Sequence, residues 1–272
     1  MCLNQEEDAF FCKKIHGCAP KKMNDYILGL VSISFRKHTP EEIIMAVKTA
    51  GLSCIEWGSD VHAPCRDMEK LHKIARLQRE YGITCSSYGT YFRLGHTPME
   101  ELKDYIAAAK LLGTNILRLW CGDKSGADMT EQERDVLFAE CRKAAEIAEA
   151  SGVTLCMECH MRSFTERPED TVALMEAVSS PAFRMYWQPF QWLDVAGSMA
   201  VAKAVAPYAE HIHVFNWQGS GKFPLSEAVE DWRRYLSVFD TPRTLLLEFM
   251  PDDRIETLSA EAEALKTIVG GM

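Results

Sequence analysis

Eight short apolar runs recur along the chain at intervals of roughly 25–40 residues, and a stretch with helical periodicity follows each of them. The runs cover residues 27–33, 53–57, 83–88, 115–120, 153–158, 183–187, 211–215 and 244–249. Strands that alternate with helices on this scale are typical of βαβ units in a parallel sheet. Eight successive units predict a closed barrel.

Helix boundary signals support this interpretation. Residues 39–42 (TPEE) and 97–100 (TPME) each offer an N-cap threonine, a proline at the first helical position and acids in the first turn. Residues 167–170 (RPED) form a similar start, and glycines precede several of the apolar runs, where a helix must end. An open doubly wound sheet is the structural alternative, but no G-x-G-x-x-G follows the first run. We therefore predict an α/β fold, a (β/α)8 TIM barrel.

The barrel accounts for residues 26–272 as a single domain, whose last helix covers residues 258–269. Residues 1–25 fall outside the eight units and are polar, so we expect an N-terminal extension that is flexible. An upstream start, with Met23 as the working initiator, is the alternative. The 272 residues match the usual length of one TIM barrel.

Composition excludes several classes of partner. A net charge of −9 argues against nucleic acid and against an anionic membrane surface, because both require clustered basic residues. No apolar run approaches the ~20 residues that span a bilayer. The first residues lack the apolar core of a signal peptide, so we expect a cytoplasmic protein.

The chemistry of a TIM barrel lies at the carboxyl ends of its strands. Polar residues that end the last four runs are Glu158, Gln188, His213 and Glu248. An outward carboxylate would meet the apolar backs of the helices at a cost of several kcal/mol, so the inward direction is favoured. Taken singly, each has an ordinary alternative, such as a histidine packed in the core or an acid that caps a loop. Four metal-competent strand ends in succession instead favour a shared site.

These strand ends resemble the xylose isomerase-like TIM barrel superfamily of sugar phosphate isomerases and epimerases. That group includes tagatose-type 3-epimerases, hydroxypyruvate isomerase, inosose dehydratase and the endonuclease IV nucleases. The resemblance runs from about Tyr26 to the end of the chain. It rests on the E-x-H run 158–160, the H-x-x-D-like run 213–216, the terminal Glu248, and the runs 55–62 (IEWGSDVH) and 186–189 (YWQP).

The resemblance implies a metal site. Epimerase-like members hold a divalent metal with Glu, Asp, His and Glu from strands 5 to 8, which correspond here to Glu158, Gln188, His213 and Glu248. One divalent cation, Mn, Zn, Mg or Co, is therefore expected. Gln188 replaces the family Asp and removes one negative charge, so binding is expected to be weaker or altered, and a metal-free site is the alternative. The family histidine three residues later is Gln191 here.

The resemblance also implies a function, an isomerase or epimerase of a sugar, sugar phosphate or sugar acid. Metal-assisted proton transfer would proceed through an enediolate, with Glu158 and Glu248 as the catalytic acid and base. Arg36, Arg93 or Lys222 would offset an anionic group on the substrate. The residues expected to bind substrate are His160, Arg118, Gln191, Glu56, His62, Arg36, Trp120 and Asn216.

Three other functions remain in competition. A dehydratase or lyase on the same scaffold shares the enolate step, and a catalytically silent sugar-binding barrel is compatible with Gln188. An endonuclease IV-like phosphodiesterase would require further histidine ligands and a basic surface, which the acidic balance disfavours. The substrate's identity and phosphorylation stay open, and so does a homo-oligomer, since barrels with exposed apolar helices often pair.

Overall fold

A computed structural model of the protein describes residues 25–272, so the predicted N-terminal extension lies outside the described residues except for Asp25. Eight parallel strands close into a barrel, which confirms the TIM-barrel prediction. The barrel strands are β1 (Ile27–Val31), β2 (Cys54–Gly58), β3 (Thr84–Leu94), β4 (Ile116–Cys121), β5 (Thr154–Glu158), β6 (Phe183–Trp187), β7 (Ala209–Val214) and β10 (Thr244–Leu247). Barrel strands that follow one another along the chain pair with each other, and β10 closes the ring between β7 and β1.

Helices follow the strands and cover the outside of the barrel. They are α1 (Pro40–Thr49), α2 (Met68–Tyr81), α3 (Leu102–Leu112), α4 (Glu131–Ser151), α5 (Pro168–Val178), α6 (Val195–Val205), α7 (Val229–Leu236) and α8 (Leu258–Gly270). Thr39 caps α1 through a capping box with Glu42, as its sequence predicts. Among residues 25–272, none of the helices combines the length and the apolar character that a membrane span requires.

Three local features differ from the sequence prediction. Thr97 does not cap α3, which begins only at Leu102 after a 3-10 turn, because the Thr97 hydroxyl accepts a hydrogen bond from the Arg93 amide instead. Strand β3 continues to Leu94, and its pairing with β4 shifts register between Gly89 and Arg93. A short antiparallel hairpin, β8 (Trp217–Gln218) and β9 (Gly221–Lys222), follows β7.

The alternation of side chains along the strands divides the interior into layers. A small apolar cluster of the barrel includes Cys54, Cys156, Tyr186 and Leu246. Two residues further along their strands stand Glu56, Glu158, Gln188 and Glu248, which therefore point the same way as the cluster. The apolar residues thus fill the lower barrel and the polar ones occupy its carboxyl end.

Candidate active site

Four strand-end groups meet at the carboxyl end of the barrel. Glu158 is the last residue of β5, His213 lies in β7, and Gln188 and Glu248 directly follow β6 and β10. All four side chains are buried. Three possible ligand atoms, one each from Glu158, His213 and Glu248, all lie within 4.8 Å of one another. The predicted convergence of these four positions is therefore seen in the geometry.

His213 Nδ1 stands at the centre of this group. It lies 3.0 Å from Gln188 Oε1, 3.4 Å from Glu248 Oε2 and 3.5 Å from Glu158 Oε1. The opposite ring nitrogen, Nε2, lies 3.4 Å from Glu56 Oε2. A carboxylate behind a histidine fixes the tautomer in which the front nitrogen is a free ligand.

The donor set fits a divalent cation. Two carboxylate oxygens, one amide oxygen and one imidazole nitrogen face each other at separations that suit neighbouring ligands of one ion. Gln188 Nε2 donates to the Cys159 carbonyl at 3.0 Å, which leaves its amide oxygen turned toward His213. Glu158, Gln188, His213 and Glu248 are thus the residues that would hold a metal.

A buried guanidinium joins two of the acids beneath the site. Arg118 on β4 donates to Glu158 Oε2 at 2.9 Å and to Glu56 Oε1 at 3.1 Å. Trp120 Nε1 also donates to Glu158 Oε2, at 2.6 Å, and Ser87 donates to Glu56 at 2.9 Å. Glu158 therefore has one oxygen fixed by two donors and the other turned toward His213.

Gly89 makes this pairing sterically possible. A Cβ atom at this position would lie 2.5 Å from Glu56 Oε1 and 2.9 Å from Arg118 Nη2, too close for any side chain. The β3 backbone thus approaches the ion pair directly.

The pKa values of the acids diverge because their partners differ. Burial alone would raise the pKa of Glu56, but Arg118 and His213 outweigh it and hold the value at about 2. Burial would also raise the pKa of Glu158, but Arg118 and His213 together outweigh it and lower the value. Burial raises the pKa of Glu248 to about 7, since His213 opposes that effect only in part. For His213, the surrounding acids Glu248 and Glu56 outweigh burial and raise the pKa to about 10.

The charges can balance in two ways within the buried group formed by Glu56, Arg118, Glu158, His213 and Glu248. Without a metal, an imidazolium at His213 and a protonated Glu248 leave Arg118 and His213 opposite two carboxylates. With a divalent cation, His213 becomes neutral and three carboxylates face Arg118 and the cation. Both arrangements are neutral, which limits the cost of burying them.

The mouth above these groups is a cavity of about 300 Å³. Of the eight residues predicted to bind substrate, five line it, namely Arg36, Arg118, Trp120, His160 and Gln191. The guanidinium of Arg36 is already paired with Asp60 at 2.9 Å and donates to the Tyr91 hydroxyl at 2.6 Å. His160 has its Nδ1 on the Met161 carbonyl.

The other three predicted residues lie elsewhere. Glu56 is fully buried below the mouth, where it holds Arg118 and His213. The ring of His62 is held by Ser32 and the His38 carbonyl and faces a separate cavity beside α1 and α2, so it lies outside the mouth in which it was expected to bind substrate. Asn216 donates to the Pro224 carbonyl and lines a cavity beside the mouth. Arg93 and Lys222 also lie outside the lining of the mouth.

Sequence reasoning missed several residues of the mouth. Tyr91, Phe215 and Phe249 line it, and Phe249 adopts a left-handed conformation (φ 56°) directly after Glu248. Non-glycine residues in this region are strained and concentrate at functional sites. Nothing in the local sequence of Phe249 signals this, whereas Tyr91 was visible as an aromatic residue near the end of the third run.

Comparison with known proteins gives two matches at the sequence level. A family model described as a xylose isomerase-like TIM barrel matches residues 44–268. The 3-dehydroshikimate dehydratase of Bacillus anthracis is 21% identical over 188 residues, which cover 61% of this chain and 67% of that protein.

Solved structures share the fold over most of the chain. The probable 3-DHS dehydratase of Bacillus anthracis has a TM-score of 0.73 at 18% identity, covering 88% of this chain and 98% of that one. A Mycobacterium smegmatis xylose isomerase-like TIM barrel protein in complex with magnesium has a TM-score of 0.67 at 14% identity, covering 92% and 98%. For Clostridium cellulolyticum D-psicose 3-epimerase with D-tagatose the TM-score is 0.63 at 14% identity, covering 88% and 96%. At these identities the likeness establishes the fold alone.

Proposed function

Because the chain belongs to the xylose isomerase-like TIM barrel family, as its strand ends predicted, we propose that it is an isomerase or epimerase of a small carbohydrate. The reaction is proton transfer at a carbon next to a carbonyl group, with a divalent cation as cofactor. The observation that carries the proposal is the approach of two buried carboxylates, Glu158 and Glu248, to His213 Nδ1, at 3.5 and 3.4 Å.

A cation held by Glu158, Gln188, His213 and Glu248 would stabilise the negative charge that develops on the substrate oxygen when the neighbouring carbon loses its proton. Glu158 and Glu248 approach from two different strands, so one accepts the proton and the other delivers it. Arg118 and Trp120 fix Glu158 Oε2, which restricts proton transfer at this residue to Oε1. Glu56 orients His213 from behind.

The charges of the mouth favour an uncharged substrate. Among the described residues, the two guanidinium groups that line it, Arg36 and Arg118, are both occupied by carboxylates. A phosphate dianion in this small cavity would find no unpaired lysine or arginine among the described residues that line it, and the cation proposed for the strand ends is already shared by carboxylates. Burial of a charge without a partner is costly. We therefore infer a neutral ketose or aldose rather than a sugar phosphate.

Hydrogen exchange with solvent tests the proposal. The metal-loaded protein is incubated in D₂O with neutral ketoses such as D-fructose and L-ribulose, and deuterium incorporation at carbon is measured by mass spectrometry. Glu158→Gln and Glu248→Gln should each reduce incorporation by about 10²-fold or more, since both carboxylates move the proton. Glu261→Gln is the matched control, because Glu261 is also buried but bonds the Leu225 amide away from the mouth. Normal exchange in either site variant would contradict the assignment.

A dehydratase is the second candidate, and the similarity to 3-dehydroshikimate dehydratase favours it. It would begin with the same proton abstraction and then expel a hydroxyl group as water. The paired state of Arg36 argues against a substrate that carries a carboxylate. The same mass spectra separate the two reactions, because isomerisation adds deuterium and dehydration removes water from the substrate.

A further inference from the structure

A second cavity, of about 380 Å³, lies directly beside the mouth between the loops that follow β6 and β7. We refer to it as the side cavity. It shares four wall residues with the mouth, namely Phe190, Gln191, Phe215 and Trp217. The Gly219 amide donates to the Gln191 carbonyl at 2.7 Å and ties the two loops together. The two cavities therefore share one wall, and a ligand in the mouth lies next to the side cavity.

Flat aromatic surfaces dominate the side cavity. Trp192 is 47% exposed and stacks on Phe190, with ring centroids 4.8 Å apart and an interplanar angle of 27°. Trp232 and Tyr235 line its buried part, and Trp232 Nε1 is occupied by the Phe215 carbonyl at 3.0 Å. Such rings offer their faces for contact, and the C–H face of a pyranose is a suitable partner.

The polar groups of the side cavity suit hydroxyl groups. Asp194, Asn216, Gln218 and Asp231 supply carboxylate and amide groups around the aromatic surface. Asp194 Oδ1 also accepts from the Gly197 amide at 2.7 Å, and Asp231 lies 3.7 Å from Arg234, so the second oxygen of each carboxylate is the one that faces a ligand. Within residues 25–272, its lining contains neither lysine nor arginine. Two carboxylates repel an anion but accept hydrogen bonds from hydroxyls. The combination matches an uncharged polyhydroxylated ring.

We propose that the side cavity binds the second ring of an uncharged glycoside whose first sugar reacts in the mouth. The proposal builds on the proton transfer proposed for the mouth and extends the substrate class from a monosaccharide to a ketose that carries a glycosyl group. Trp192 stacks on the second ring, and the carboxylates and amides bind its hydroxyls.

Calorimetric titration of the Mg²⁺-loaded protein tests this inference. D-fructose is compared with its glucosides turanose, leucrose and isomaltulose, which differ in linkage. At least one glucoside should bind about tenfold more tightly than D-fructose. Trp192→Ala should abolish that advantage and leave D-fructose binding unchanged. Met45→Ala is the matched control, because Met45 is 55% exposed on α1 and lines neither cavity.

Three outcomes would overturn the proposal. In the first, none of the three glucosides binds more tightly than D-fructose. In the second, Trp192→Ala weakens the binding of D-fructose and of the glucoside equally. In the third, a phenyl glycoside, which carries an aromatic ring in place of the second sugar, binds more tightly than all three glucosides. Circular dichroism verifies that the variants fold. Binding is read independently of exchange, so a protein that binds glucosides but exchanges no hydrogen would refute the proposed function and leave only the glycoside-binding role of the side cavity standing.

Discussion

Replacing Arg118 with methionine tests the ion pairs at the centre of the barrel. Arg118 is 1% exposed and lies 2.9 Å from Glu158 and 3.1 Å from Glu56. At an effective dielectric constant of about 20, each contact contributes about 5–6 kcal/mol of Coulomb energy before the cost of desolvation. Because the substitution leaves two buried carboxylates without their partner, we expect the free energy of unfolding to fall by about 3–5 kcal/mol.

Thermal unfolding of the metal-free protein measures this loss, which corresponds to a fall in melting temperature of about 6–20 °C for a chain of this size. Arg66→Met is the control, because Arg66 makes contacts of 3.0 and 3.5 Å with Asp104 and Glu101 but is 68% exposed. Its melting temperature should stay close to that of the parent. Combining Arg118→Met with Glu56→Gln should recover part of the loss, since one charge of each sign is removed. A fall of less than about 3 °C in Arg118→Met would refute the reasoning.

Three further predictions concern the metal, pH and substrate charge. Gln188→Glu should tighten Mn²⁺ binding at least about tenfold in calorimetry, because a carboxylate replaces an amide. His213→Ala should lose stoichiometric metal. An affinity for Mn²⁺ that is unchanged in both variants would argue against the site. In chelator-treated protein, the pKa of His213 is raised from its ordinary value of 6.5 to about 10. The proton on folded His213 therefore stabilises the fold fully below pH 6.5, and this stabilisation is lost as the pH rises through 10. The melting temperature should therefore fall between pH 7 and 10 and do so less in His213→Gln; an equal fall in both would exclude His213 as the cause. A neutral ketose should show a kcat/KM at least about tenfold that of its phosphate ester, and the reverse preference would contradict the charge argument.

Sequence predicts the barrel because its signals are local. Apolar runs, capping residues and glycine helix ends each act within a few residues, and eight repetitions leave one closed arrangement. The convergence of Glu158, Gln188, His213 and Glu248 could be predicted for the same reason, since parallel strands all end at one rim.

Contacts across the barrel were not predictable in this way. Glu56 and Arg118 belong to strands separated by β3, and their pairing depends on the register shift in β3 and on the missing side chain at Gly89. His62 and Asn216 belong to loops after strands, where the path of the backbone is set by contacts such as those with Ser32 and Pro224. The pattern of apolar and polar residues along a strand carries no information on the pairing across the barrel or on the path of the loops.

The two neutral charge states of the buried group have a consequence for how the protein folds and takes up metal. With a proton on His213 and a proton on Glu248, the central acids are compensated without an ion, so we expect the barrel to fold in chelator-treated protein. A cation that binds to the folded, metal-free protein would then displace those two protons into solvent. Loading should accordingly be reversible, acidify an unbuffered solution, and let the metal content follow the supply in the surrounding medium.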